Sequence, residues 1–194
     1  MKQIHKKVNS PIKDLVYRVG KNTNNSTIRQ QLLIEQNHIC AYTETYLDRT
    51  SSHPIEHFNP TLKETTNDGY HNYFICKDQW NNEKGTTVRW NKFQPILHPT
   101  ANDFNTRITF FDGFFFANQE DLSADNLIQY LKLNDAGLSK NRQRYIERKR
   151  KEIAWSQLSP QIFFDELLEE APDHVYFIRA IEETFEVTIN FDLR

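Results

Sequence analysis

Glu56 and His57 stand side by side, Asn72 follows, and Asn81 comes nine residues after that. A carboxylate beside an imidazole, with two amides downstream, can hold one divalent cation and activate one water. Hard cations such as Mg²⁺ or Mn²⁺ take oxygen ligands and keep part of their water shell. Glu56 and the amide oxygen of Asn81 are therefore the candidate metal ligands. His57 is the one side chain of the four that exchanges a proton near neutral pH, so it is the candidate general base. Asn72 is the candidate for orienting the His57 loop. Lys84 lies three residues past Asn81, on the same helix face, and is a candidate phosphate contact. Taken singly, each of these residues is ordinary: a structural histidine, a turn asparagine, a solvated lysine. Their joint spacing carries the reading. His38, His53, His71 and His98 have no comparable set of neighbours.

At these positions the chain resembles the HNH endonucleases of the ββα-metal type. There an acidic residue and His end a strand, an Asn sits in the loop, and C-N-x-x-K opens a helix. The corresponding residues here are Glu56-His57, Asn72 and Trp80-Asn81-Asn82-Glu83-Lys84. The likeness extends to the small HNH proteins that accompany an ATPase in Septu-type anti-phage systems and some retrons. It is carried upstream by Leu32, Glu35-Gln36 and Cys40-Ala41-Tyr42-Thr43, at the site by Ile55 to Pro60, and downstream by Leu131-Lys132-Leu133-Asn134 before a basic helix. The resemblance spans roughly residues 28 to 150. It implies metal-dependent cleavage of phosphodiester bonds in DNA, or in RNA, with an ABC- or AAA-type ATPase as partner. The ion held by Glu56 and Asn81 neutralises the scissile phosphate and the leaving oxygen. Glu56 and His57 are strand neighbours and should face opposite ways. The family geometry implies that twist at the strand end brings both to one ion.

The chain departs from that family at its zinc knuckle. In relatives two C-x-x-C pairs close a four-thiolate structural site. Here Thr43 replaces one Cys, Lys77 and Trp80 stand where the second pair would be, and Cys76 is one position out of register. Structural zinc is not expected, and Cys40 and Cys76 read as two small buried hydrophobes.

Several elements must position these residues. Ser26 is placed to cap a helix over 27–37, with Ile28, Leu32 and Leu33 on its apolar face. Pro54 and Pro60 bound a strand ending at His57, and 72–76 reads as its partner. Asp78 is placed to cap a helix carrying Asn81 and Lys84 and stopping near Gly85. Residues 86–106 read as a loop-rich connection. A hairpin over 107–116 turns at Asp112-Gly113, which calls for a type I′ turn. Further helices are expected from Ser123, from Leu138 to Leu158, from Pro160, and from Pro172 to Phe185, followed by a strand over 185–193. The expected fold is α+β: a ββα-metal core in residues 38–95, an N-terminal arm and packing helix in 1–37, and a helical region with the hairpin in 96–194 that docks a partner.

Net charge is −2, so no global field announces a nucleic-acid binder. The charge is uneven, however. Residues 140–151 carry seven Lys or Arg against one Glu, and residues 165–194 carry nine acids against two Arg. The basic run makes Arg142, Arg148 and Lys149 candidate phosphate contacts. The acidic, Phe-rich tail suits a protein partner better than DNA. The first residues, with Lys2, Lys6 and Lys7, read as a loose, solvated start that then folds along the domain. Two cysteines and no signal-like start point to a reduced cytoplasm, and no apolar run is long enough for a bilayer. Two other classes remain open: a non-catalytic interaction module with an HNH-like shell, and a stand-alone restriction or homing nuclease. The second lacks a recognisable sequence-reading module.

Overall fold

The computed structural model describes residues 1–20, 23–85 and 87–191. The fold is α+β. In chain order it contains α1 (Thr23–Glu35), β1 (Ile55–His57), β2 (Tyr73–Ile75), α2 (Asp78–Lys84), α3 (Thr87–Lys92), α4 (Phe104–Arg107), β3 (Ile108–Phe111), β4 (Phe114–Ala117), α5 (Leu122–Tyr130), α6 (Ala136–Ser156), α7 (Pro160–Glu170) and α8 (Ile178–Phe185). Among the described residues no helix is long and apolar enough to cross a membrane.

β1 and β2 pair antiparallel, with Glu56 opposite Phe74 and His57 opposite Tyr73. α2 follows directly, so one β-β-α unit carries Glu56, His57, Asn72, Asn81 and Lys84. A two-stranded ribbon leaves backbone groups unpaired, and unpaired buried groups are costly. Here side chains complete it. The Gln36 amide accepts from Ile75 N at 2.8 Å and donates to Ile75 O at 2.9 Å, and Lys6 Nζ donates to Tyr73 O. α1 presents Ile28 and Leu32 to the same ribbon.

The hairpin β3–β4 pairs Phe111 with Phe114 around Asp112-Gly113, both at positive φ as a type I′ turn requires. A Cβ on Gly113 would lie 2.9 Å from Ser139 O of α6, so this turn admits only glycine at its closest approach. Burial alternates along both strands: Phe110 and Phe115 point inward, while Phe111, Phe114 and Phe116 face out.

One buried cluster runs from Met1 and Ile12 through Tyr73 and Phe74 to Phe164, Ile181 and Ile189. All three segments of the expected domain layout contribute to it. The N-terminal arm differs from the loose tail expected: Met1 is fully buried, Ile4 N donates to Pro99 O, and Lys7 N donates to Tyr70 Oη. α1 begins at Thr23, so Ser26 lies inside the helix rather than at its cap. Asp121, not Ser123, caps α5 by accepting from Ala124 N. Ser159 caps α7 with Pro160 at its first turn, as expected. The connection over 86–106 holds two short helices, α3 and α4. Pro172 starts only a 3₁₀ turn before α8, and the tail through Phe191 forms no strand. The rest of that expected strand, 192–193, lies outside the described residues.

Candidate functional site

β1 is extended backbone, so successive side chains leave on opposite faces. Glu56 and His57 accordingly sit in two different environments. The Glu56 carboxylate is 2 % exposed; its Oε1 contacts the Lys84 ammonium and accepts from Tyr42 Oη at 3.1 Å. Lys84 is 4 % exposed and also donates to His57 O and to Phe58 O, the latter at 3.2 Å. Burial pushes Glu56 up and Lys84 down, and each partner opposes the other's shift. α2 thus points Lys84 inward to neutralise a buried carboxylate, which removes it from the phosphate contacts expected of an exposed lysine.

On the other face His57 is flanked by two rings, Tyr17 at 4.6 Å and Tyr73 at 5.2 Å between centroids, both edge-on. Its Nε2 lies 3.1 Å from Asp68 Oδ2, a contact whose distance suits a hydrogen bond but whose angle does not. Burial pushes the imidazole down to about 4; Asp68 opposes that shift, while Lys63 and Lys84 add to it. His57 is therefore neutral at pH 7, the form in which a base accepts a proton.

Asn72 holds this arrangement together. Its Oδ1 accepts from Asn59 N at 2.7 Å, its Nδ2 donates to Asn59 O at 3.0 Å and to Asp68 Oδ1 at 2.9 Å, and its carbonyl accepts from Phe58 N. The segment just after His57 and the carboxylate beside the imidazole are thus fixed by one buried amide.

Asp68 is the residue that sequence reasoning missed. It stands in Asn67-Asp68-Gly69, a run whose turn chemistry accounts for it locally, and its one distinguishing mark is standing four residues before Asn72. Lys63, exposed and with Nζ 5.4 Å from the Tyr17 centroid, was missed as well.

The arrangement does not fit a divalent ion held by Glu56 and Asn81. Glu56 is occupied by an ammonium and a phenol, and it faces away from His57. Asn81 is half-buried on α2, and its backbone N–H donates to Lys77 O within the helix's first turn. Among the described residues no three His, Cys, Asp or Glu stand close enough to hold a metal. Strand twist over three residues is too small to turn adjacent side chains toward one point. Cys40 and Cys76 are buried free thiols; Lys77 N donates to Cys40 Sγ at 3.5 Å, and burial pushes the Cys76 thiol up.

Two of the three expected phosphate contacts on α6 also face inward. Arg142 is 1 % exposed; it donates to Gly113 O at 2.9 Å and to Leu133 O, and lies 4.6 Å from the Phe115 ring centroid. Lys149, also 1 % exposed, pairs with Glu152 at 2.8 Å between the Tyr145 and Phe163 rings. A long basic helix packed against aromatics buries part of its charge along stems that cover apolar surface. Arg148 remains exposed. No family model, curated protein or solved structure matches the chain.

Proposed function

We propose that the chain is an HNH-type phosphodiester hydrolase acting on DNA, with His57 as general base. The observation that carries this reading is the set of contacts around His57: an imidazole at the end of β1, beside Asp68, with the following segment clasped by Asn72. The order β-β-α, with the base ending the first strand, agrees with it. In this reading the imidazole takes a proton from water, the resulting hydroxide attacks phosphorus, and the bond to the 3′-oxygen breaks, that oxygen taking a proton from solvent. Lys63 is an exposed cation whose charge reaches His57, and it is a candidate for the phosphate. Mg²⁺ is assigned no step, since Glu56 is engaged with Lys84.

The partner proposed is an ABC- or AAA-type ATPase in the cytoplasm, the chain serving as effector of an anti-phage complex. An exposed apolar face supports a docking role: Phe111 is 74 % exposed and Phe116 49 %, on the outward side of β3–β4. Three rings on one small hairpin exceed what scattered surface residues explain.

A second reading, a non-catalytic interaction module, is favoured by the buried Glu56–Lys84 pair, which fills with protein charge the place a metal site would need. Incubating purified chain with plasmid and with single strands, with and without Mg²⁺, separates the two. The hydrolase reading expects cleavage that His57→Gln, which keeps most of the buried volume, abolishes while the variant still unfolds cooperatively. No cleavage under any condition, including with a candidate ATPase partner added, selects the interaction module.

A further inference from the structure

Lys77 sits between β2 and α2, and α6 runs opposite it. Together with the segments at 45–46 and 176–177 they enclose a cleft of about 360 Å³. Its lining includes Tyr46, Lys77, Arg144, Arg148 and Tyr176, and no acidic residue. For a chain of net charge −2 this is a strong local segregation. Arg144 is exposed and makes no ion pair among the described residues. Lys77 is half-buried; its backbone N–H and carbonyl are both bonded, and its ammonium makes no hydrogen bond or ion pair among the described residues, with Asp48 the carboxylate that feels its charge. Arg148 reaches Tyr176 Oη at 3.4 Å and is partly neutralised by Glu152 at 3.5 Å. Each of the two half-buried rings is braced by an aromatic neighbour: Tyr46 stacks with His38 at 6.1 Å and 26°, and Tyr176 packs on Tyr145 at 4.3 Å.

We infer that this cleft binds single-stranded nucleic acid, its three cations on the phosphates and Tyr46 or Tyr176 against a base. Cations alone would suit any polyanion. The rings add a reason to prefer unpaired bases, whose faces are free to stack, over a duplex or an acidic peptide. The cleft's volume suits one or two nucleotides, not a helix. That the cleft holds substrate for cleavage rests on the hydrolase reading; its affinity for nucleic acid does not.

The test is fluorescence anisotropy with a labelled oligothymidylate, in EDTA so that no metal-dependent turnover intervenes. Arg144→Glu/Arg148→Glu is expected to bind at least about tenfold more weakly. Its salt slope should become shallower by about 1.4, since each lost phosphate contact on a single strand removes about 0.7. Tyr46→Ala is expected to weaken binding about fivefold or more. Arg144→Lys/Arg148→Lys, which keeps the charge, should retain binding and guards against misfolding. Unchanged binding by the Glu variant, equal affinity for a duplex with no effect of Tyr46→Ala, or equally good competition by polyglutamate would each overturn the inference. If the variants lose binding while the parent never cuts, the cleft stands and the hydrolase reading falls. If the parent cuts and the variants bind normally, the reverse holds.

Discussion

Lys84→Met keeps side-chain length but removes the ammonium shared by Glu56, His57 O and Phe58 O. The Glu56 carboxylate then has two choices: stay charged in a buried site without a cation, or take a proton. The second sets a ceiling on the cost. Starting from the ordinary value of 4.5, keeping a carboxyl protonated costs about 1.4 kcal/mol per pH unit above that value, hence about 3.4 kcal/mol at pH 7 and under about 1 kcal/mol at pH 5. The lost hydrogen bonds to two carbonyls add roughly 1–3 kcal/mol each, independent of pH. The sign follows from burial: Glu56, already raised, is raised further in the variant. Its folded form binds the proton more tightly than its unfolded form, so stability is full below about 4.5 and falls as pH rises toward the folded value. Urea denaturation of parent and variant across this range should give a deficit that grows by about 1.4 kcal/mol per pH unit. Glu56→Gln/Lys84→Met should lose that slope. A deficit that does not change with pH, or no deficit at all, would refute the buried, mutually neutralised pair.

Asn72→Ala should cost about 2–4 kcal/mol in denaturant, because it strips partners from buried groups of Asn59 and Asp68, and it should reduce cleavage as strongly as loss of His57. Tyr17→Ala should raise the His57 titration, followed by NMR, from about 4 toward its ordinary 6.5, since solvent returns to one side of the ring; an unmoved titration would remove burial by Tyr17 as its cause. Parent stability should decline as pH falls from about 6.5 to about 4, the window in which the unfolded imidazole takes a proton that the folded one refuses. Gly113→Ala should destabilise by about 1–3 kcal/mol through positive φ and the approach to Ser139 O, measured by thermal melt. Chelation should leave the melting temperature unchanged; unfolding on chelation would reveal a structural ion at Cys40 and Cys76.

Elements with local signals were legible in the sequence. Pro54 and Pro60 bracket β1, Asp112-Gly113 turns the hairpin, and Ser159-Pro160 starts α7. Each signal acts within a few residues, and long-range packing has no need to change it. Side-chain direction was legible within β1, where alternation separates Glu56 from His57, but not on the helices. Whether Lys84, Arg142 and Lys149 face solvent depends on carboxylates, carbonyls and rings distant in the chain: Glu56 is 28 positions from Lys84, and Gly113 O is 29 from Arg142. A basic run therefore reads as a surface even where a packed core has claimed two of its members. Asp68 was hidden for the opposite reason: its turn chemistry was sufficient to explain it locally, so nothing signalled its contact with His57. The N-terminal arm was misjudged because Met1, Ile4 and Ile12 are too sparse to form a pattern, although each finds a place in the core.

What separates the hydrolase from the interaction module is the wall around His57. The imidazole is 5 % exposed, and a base that cannot meet water does no chemistry. One of its walls, Tyr73, is fully buried and belongs to β2, so moving it would break the ribbon itself. The other, Tyr17, is half-buried on the arm between exposed Val16 and Val19. It is fastened by its own N–H to Tyr73 Oη at 3.1 Å and by the neighbouring bonds of Arg18 N to Asn25 and Val19 N to Glu64. Backbone held by a few solvent-facing hydrogen bonds opens at far lower cost than a core strand. The hydrolase reading therefore places the entry of water on the Tyr17 side and not on the Tyr73 side. It needs that route, whereas an interaction module gains nothing from it.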